Sequence, residues 1–341
     1  MPAELLEMAK TRNDTALTLR SGAEHDAEAF NERLGDAELA ERVRAWTSEA
    51  FSKNTQRAYK ADWRHFEEWC DAANLVPLPA EPSTVAAYVD ALAATHKAAT
   101  IQRRLVSIKK AHRGAGLEVP TDDPLVKLAW RAVRRRIGVA QDAKAPLLTN
   151  DVKAMVAKLP STRAGARDRA LLLLGFSGAF RRSELVALRV GDLEFNTDGV
   201  TVRIRKSKTD PESRGRKVGI PFGRSSASCP VRAARAWLDG AGITTGPVFR
   251  AMQRGGRVGR AALSDRAVAL VVKRVARAAG LDPRRYAGHS LRAGLATAAA
   301  IAGASERSIM KQTGHVSEKM VRRYIRDADL YRDNAARTAG L

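Results

Sequence analysis

The chain has 341 residues, enough for two domains, and its 59 Lys and Arg outnumber 37 Asp and Glu for a formal charge of +22. That excess points to a polyanionic partner; no apolar run approaches the length of a spanning helix and the opening MPAELLEMAK is acidic, so neither a membrane anchor nor a secretory signal is expected. Cys70 and Cys229 are the only cysteines, too few for a disulfide framework and without C-x-x-C spacing, which fits a reducing cytoplasm.

Residues 1 to 40 hold four basic and nine acidic residues, so this stretch reads as an acidic, flexible tail, and residues 41 to 341 carry +27. Helical patterning begins near residue 41. In NTQRAYKADWRHFEEWCDAANL, Asn54 is the expected N-cap, and Tyr59, Trp63, Phe66 and Cys70 fall on one face. Pro77, Pro79 and Pro82 interrupt the chain before STVAAYVDALAA. TIQRRLVSIKKAHRGAG then places Ile101, Leu105 and Ile108 together, leaving Arg103, Arg104, Lys109 and Lys110 for other faces. DPLVKLAWRAVRRRIG ends in a basic run containing Arg134 and Arg135. Residues 41–137 are thus expected to form a small all-α domain with apolar seams and basic outer faces that meet phosphates.

Residues 138–146 are polar and rich in small residues, with Pro146 at the end, and read as a linker. Beyond it, LTNDVKAMVAKL starts with Thr149 or Asn150 as the cap, and ARDRALLLLGFSGA is a strongly apolar helix followed by FRRSELVALRVGDLEF. GVTVRIRKSKT alternates through Val200, Val202 and Ile204, and GRKVGIPF returns through Val218 and Ile220, a hairpin about the polar turn TDPESRGR. Helical patterns run from Pro230 to the end. The fold class expected is mostly α with a small β-sheet.

The chemistry-bearing residues are modest singly. Arg181, after the apolar helix, could be a surface arginine resting its stem on apolar neighbours. Lys208 could protect a strand edge. His289 and Arg292 sit at i, i+3, side by side on a helix, and Tyr324 could be a packing tyrosine. Their order is more specific. R-x-S-E-L at Arg181, a hairpin lysine, H-x-x-R at His289, and a second Gly-His at His315 with Tyr324 nine residues on resemble the tyrosine recombinase, or phage integrase, family. The likeness spans about residues 41 to 341 and leans toward Cre-like two-domain members through GLEVPTDDPLVKLAWRAVRRRIG and YIRDADL.

The resemblance implies an all-α core-binding domain followed by an α+β catalytic domain, residues 147–341. It makes Arg181 and Arg292 the grip on the scissile phosphate and Tyr324 the nucleophile. Lys208 becomes the general acid, with Lys206 as its rival, His289 and His315 the two histidine positions, and Glu184 the acidic brace. Phosphodiester cleavage suits this set. Guanidinium groups hold an anion whose charge grows in the transition state, cations favour the phenolate, and a departing alkoxide needs a proton, so no metal or cofactor is expected. Double-stranded DNA with paired half-sites is the implied partner. The resemblance also implies a dimer on one site and a tetramer in the synapse, joined through a terminal helix bearing Ala328, Leu330 and Tyr331. Type IB topoisomerase-like religation and a non-enzymatic DNA-binding regulator are the alternatives.

Overall fold

The computed structural model describes residues 52–140, 144–207, 210, 214–329 and 339. The expected acidic tail lies outside them. Contacts divide the chain between Gln141 and Asp142 into two units.

The first unit is helical: α1 (Lys53–Ala72), α2 (Pro82–Leu92), α3 (Ala98–Gly114) and α4 (Pro124–Ile137). The Ser52 hydroxyl accepts the N–H of Thr55 at 3.3 Å, so Ser52 caps α1 and Asn54 lies inside its first turn, a correction to the expected cap. Phe66 and Cys70 are fully buried with Val85, Tyr88, Val89, Ile101 and Ile108, and Trp63 packs against them. Asp123 caps α4 by accepting the N–H of Leu125 at 2.7 Å, and Pro124 occupies the first helical position, where a missing N–H costs nothing.

The second unit starts with α5 (Thr149–Ala157) and α6 (Arg163–Ser177). Leu148, rather than Thr149 or Asn150, flanks α5, and its N–H is satisfied by the Asp151 carboxylate at 2.9 Å. The middle of α6 is buried all round, as an uninterrupted apolar run requires. After the short α7 (Arg182–Ala187), strands β1 (Leu193–Phe195), β2 (Gly199–Ile204) and β3 (Arg216–Pro221) form an antiparallel sheet in that order. Its register sets Val200 opposite Ile220, Val202 opposite Val218 and Ile204 opposite Arg216.

Helix α8 (Pro230–Gly240) follows, and then β4 (Arg250–Met252) pairs with β5 (Val258–Ala262). This second sheet corrects the expectation of helical patterns alone from Pro230 onward; its strands are short and their pairing is irregular between Arg250 and Met252, so no alternation marks them. Helices α9 (Asp265–Ala278), α10 (His289–Ile301), α11 (Glu306–Thr313) and α12 (Glu318–Asp329) complete the unit. A Cβ on Gly294 would lie 1.9 Å from the Leu147 carbonyl oxygen, so α10 approaches the start of the unit where only glycine fits. Val321 of α12 is buried with Ala296, Ala300 and Ile309, and Tyr324 and Ile325 pack against that cluster. Among the described residues no helix is long and apolar enough to cross a membrane.

Candidate active site

The site is built where α6 ends. Gly178 leaves no room for a side chain, since a Cβ there would meet the Phe180 ring at 2.2 Å, and Ala179 takes a left-handed φ of 49°. Phe180 is buried as an anchor, and Arg181 flanks the N-terminus of α7. The Ala179 carbonyl accepts Nη1 of Arg292 at 2.8 Å. Arg292 is only 1% exposed, and its Nη2 has no hydrogen-bond partner among the described residues. Burial first, and Arg181 second, lower its pKa to about 10, which still leaves it charged at neutral pH. A buried cation with an unmatched N–H is costly unless an anion completes it.

Glu184, 2% exposed, organises the other arginine. Its Oε1 accepts Nη1 of Arg181 and the Ser207 hydroxyl, both at 2.7 Å, and its Oε2 accepts the Arg181 backbone N–H at 3.0 Å. Burial would raise its pKa, but the hydrogen bonds from the Arg181 backbone, Ser207 and the Arg181 guanidinium outweigh it and hold the carboxyl below its usual range. Nη1 of Arg181 also reaches Ser207 Oγ at 2.6 Å.

Tyr324, on α12, meets His289 at the start of α10, with 3.3 Å between its hydroxyl and Nε2. The His315 ring lies 5.9 Å from the tyrosine ring, and its Nδ1 is 2.8 Å from the Thr313 hydroxyl. His315 is pushed down to about 4 by burial and then by Arg292, Arg181, His289 and Arg216. His289 is exposed as a residue, yet partial burial of its ring, and then the charges of Arg292, Arg181 and Arg182, lower its pKa too. Both imidazoles are therefore neutral at pH 7, and a neutral ring beside a phenol is able to take its proton.

The two Gly-His steps have different physical reasons. A Cβ on Gly288 would strike the Arg182 side chain at 2.2 Å, so that glycine makes room for a neighbour. Gly314 has φ +65° and ends α11 in the left-handed conformation, turning the chain toward His315.

The structure thus brings Arg181, Glu184, His289, Arg292, His315 and Tyr324 together. Lys208 lies outside the described residues, and Lys206 is exposed beyond the end of β2. Ser207, Arg216 and Thr313 escaped the sequence reading. Arg216 did leave a signal: it shares the inward face of β3 with Val218 and Ile220, where a charged residue is out of place.

In the helical unit the predicted basic positions divide. Arg134 and Arg135 are exposed and make no ion pair among the described residues. Lys110 lies over the Tyr59 ring at 5.5 Å, and Lys109 pairs with Asp122 at 2.5 Å. Arg103 holds Asp62 through two bonds of 2.6 and 2.9 Å. Arg104 departs from expectation. It is 8% exposed, donates to the Tyr88 hydroxyl at 3.1 Å and lies 3.7 Å from Asp62, so its charge is spent inside the bundle and not on an outer face.

Residues 146–330 match the phage integrase family, and residues 45–118 match its N-terminal SAM-like domain. An integrase/recombinase, the xerD homolog of Selenomonas ruminantium, is 42% identical over 286 residues, covering 83% of this chain and 84% of its own. The recombinase cre of Escherichia phage P1 is 27% identical over 303 residues, 82% of this chain and 86% of its own. In fold, a lambda integrase dimer bound to a COC' core site is similar with a TM-score of 0.55 at 18% identity, over 87% of this chain and 96% of that one. The chain belongs to the phage integrase family, the tyrosine recombinases, and is a site-specific recombinase that cleaves and rejoins DNA.

Proposed function

We propose that this recombinase works through Tyr324 and a 3′-phosphotyrosyl intermediate. The tyrosine oxygen forms a bond to phosphorus while the bond from phosphorus to the 5′ oxygen breaks. The phenol proton passes to neutral His289, and Lys208 supplies a proton to the departing 5′ oxygen. Arg181 and Arg292 hold the non-bridging oxygens as charge builds on them, with His315 beside them. The ester bond energy stays in the protein–DNA link, so a 5′ hydroxyl from a partner duplex reverses the step and exchanges strands. The observation that carries this reading is Arg292, buried and charged, with no ion pair and no partner for Nη2 among the described residues, and close enough to Tyr324 for the two to interact electrostatically.

Paired half-sites and a tetrameric synapse belong to the same reading. A cavity of about 420 Å³ in the catalytic unit is lined by Val152, Phe176, Leu295, Ala299, Ala304 and Ile309, and an apolar helix face of a second copy would fill it. The segment expected to do so continues from α12, but Leu330 and Tyr331 lie outside the described residues. Arg134, Arg135, Lys109 and Lys110 are the proposed phosphate contacts of the helical unit.

The test uses a pool of duplexes with a randomised segment and a nick at one fixed position, so that where cleavage falls a short distance 5′ of the nick the released 5′-hydroxyl fragment diffuses away. Wild-type protein is expected to trap a covalent adduct at Tyr324, and sequencing the captured DNA yields the cognate site. An adduct that persists in Tyr324→Phe overturns the assignment.

A further inference from the structure

Glu184 has one negative charge and more than one cation around it. Beyond Arg181, Nη2 of Arg216 approaches its Oε2 at 3.5 Å. The other end of that guanidinium, Nη1, donates to the Gln312 carbonyl at 3.1 Å, and Nε has no hydrogen-bond partner among the described residues. Gln312 is itself anchored, since its side-chain amide donates to the Ser177 carbonyl at 2.7 Å. Two residues on comes Gly314, whose backbone lies against the same guanidinium: a Cβ there would be 2.8 Å from Nε and 3.0 Å from Cζ. Arg216 therefore has one hand on the carboxylate that holds Arg181 and the other on the turn that delivers His315.

We infer that Arg216 is a positioning residue of this site, a third arginine that fixes Arg181 through their shared Glu184 and sets the Gly314–His315 turn against them. The charge count supports such a role. Among the described residues, three guanidinium groups, Arg181, Arg216 and Arg292, face one carboxylate, which leaves an excess of two positive charges for a phosphodiester that gains negative charge as it is attacked. Without Arg216, Glu184 would pull on Arg181 alone and withdraw it from an incoming anion. The fork matters as well as the charge, because a planar guanidinium spans two acceptors that an ammonium cannot reach together. An arginine that merely filled space under β3 would need neither the carboxylate nor the carbonyl.

This inference rests on Arg181 as a phosphate ligand, and the experiment separates the two. The probe is the nicked duplex recovered by covalent capture, made with an ordinary diester or with a neutral methylphosphonate at the scissile position. Arg181→Ala is expected to cleave the diester slowly and to recover toward wild type on the methylphosphonate, which lacks the charge that arginine engages. Arg216→Met is expected to lose between about 10- and 100-fold on the diester, the scale of a reacting group displaced by an ångström. Its single-site binding and melting temperature stay close to wild type, and most of its deficit closes on the methylphosphonate. Arg216→Lys, which keeps the charge but not the fork, falls between; it carries the same comparison where Arg216→Met melts well below wild type. A deficit in the Arg216 variants that is unchanged on the methylphosphonate while that of Arg181→Ala closes overturns the inference, as does full diester activity in either variant. A deficit in Arg181→Ala that does not close overturns the reading of Arg181 itself, and this inference with it.

Discussion

Two buried arginines, one in each unit, show how burial alone says little about role. Arg104 in the helical unit also leaves one N–H, at Nε, without a hydrogen-bond partner among the described residues, but the Asp62 carboxylate lies 3.7 Å from that atom and Nη1 donates to the Tyr88 hydroxyl, so its charge is answered by its own fold. Arg292 in the catalytic unit is more deeply buried; the Ala179 carbonyl accepts from its Nη1, and among the described residues its Nη2 has no partner and no carboxylate pairs with it, Glu184 being engaged by Arg181 and Arg216. A compensated buried cation holds a fold together; one left short of an anion is prepared to receive one.

The comparison breaks most sharply in cleavage assays. Arg292→Ala is expected to lose about 100- to 1,000-fold in the rate of adduct formation on the captured duplex, the range for removing one transition-state donor. Its urea midpoint should not fall by a comparable measure, because the removed charge had little compensation to lose. A large drop in stability with unchanged chemistry would make Arg292 a second Arg104.

Arg104→Met is the converse. Removing one partner of a buried pair costs roughly 3 kcal/mol, here toward the lower end because Asp62 keeps Arg103, and urea titration measures it. Cleavage per bound complex should be unchanged. Normal stability in this variant would show that the charge was never needed inside.

Protonation sharpens the contrast more gently. His315 has a folded pKa of about 4, below its ordinary 6.5, so the unfolded chain binds the proton more readily between those values. Its contribution to stability is present above pH 6.5 and is lost as pH falls toward 4. In DNA-free protein the melting temperature of wild type should therefore fall more steeply over that window than that of His315→Gln. Parallel curves would mean that His315 is not held neutral by its surroundings.

The smallest effect concerns the exposed cations. Arg134→Ala with Arg135→Ala should weaken binding across DNA sequences and reduce the slope of log affinity against log salt by about 2, one for each phosphate contact. An unchanged slope would remove both from the interface.

The helices of the first unit and the β2–β3 hairpin were legible because apolar spacing is a local property, and each helix or strand displays its own period. The order of Arg181, His289, Arg292, His315 and Tyr324 was legible for the same reason, each motif being a few residues long. The short pair β4 and β5 left no such pattern.

What periodicity could not reveal was the partner of each charge. On α3, Arg103 and Arg104 look alike in the sequence, yet Arg103 stays half exposed while it holds Asp62 on α1 through two hydrogen bonds, and Arg104 turns inside to the Tyr88 hydroxyl and is structural. On β3, Arg216 looks like one more member of a basic chain until Glu184 and the Gln312 carbonyl are found at its two ends. Sequence by itself determined the elements, their amphipathic faces and the residue types available for phosphate chemistry. Only the tertiary structure decided which arginines are neutralised by carboxylates and which retain charge for DNA, because Coulomb energies and desolvation depend on separation in space, and positions far apart in the chain set that separation.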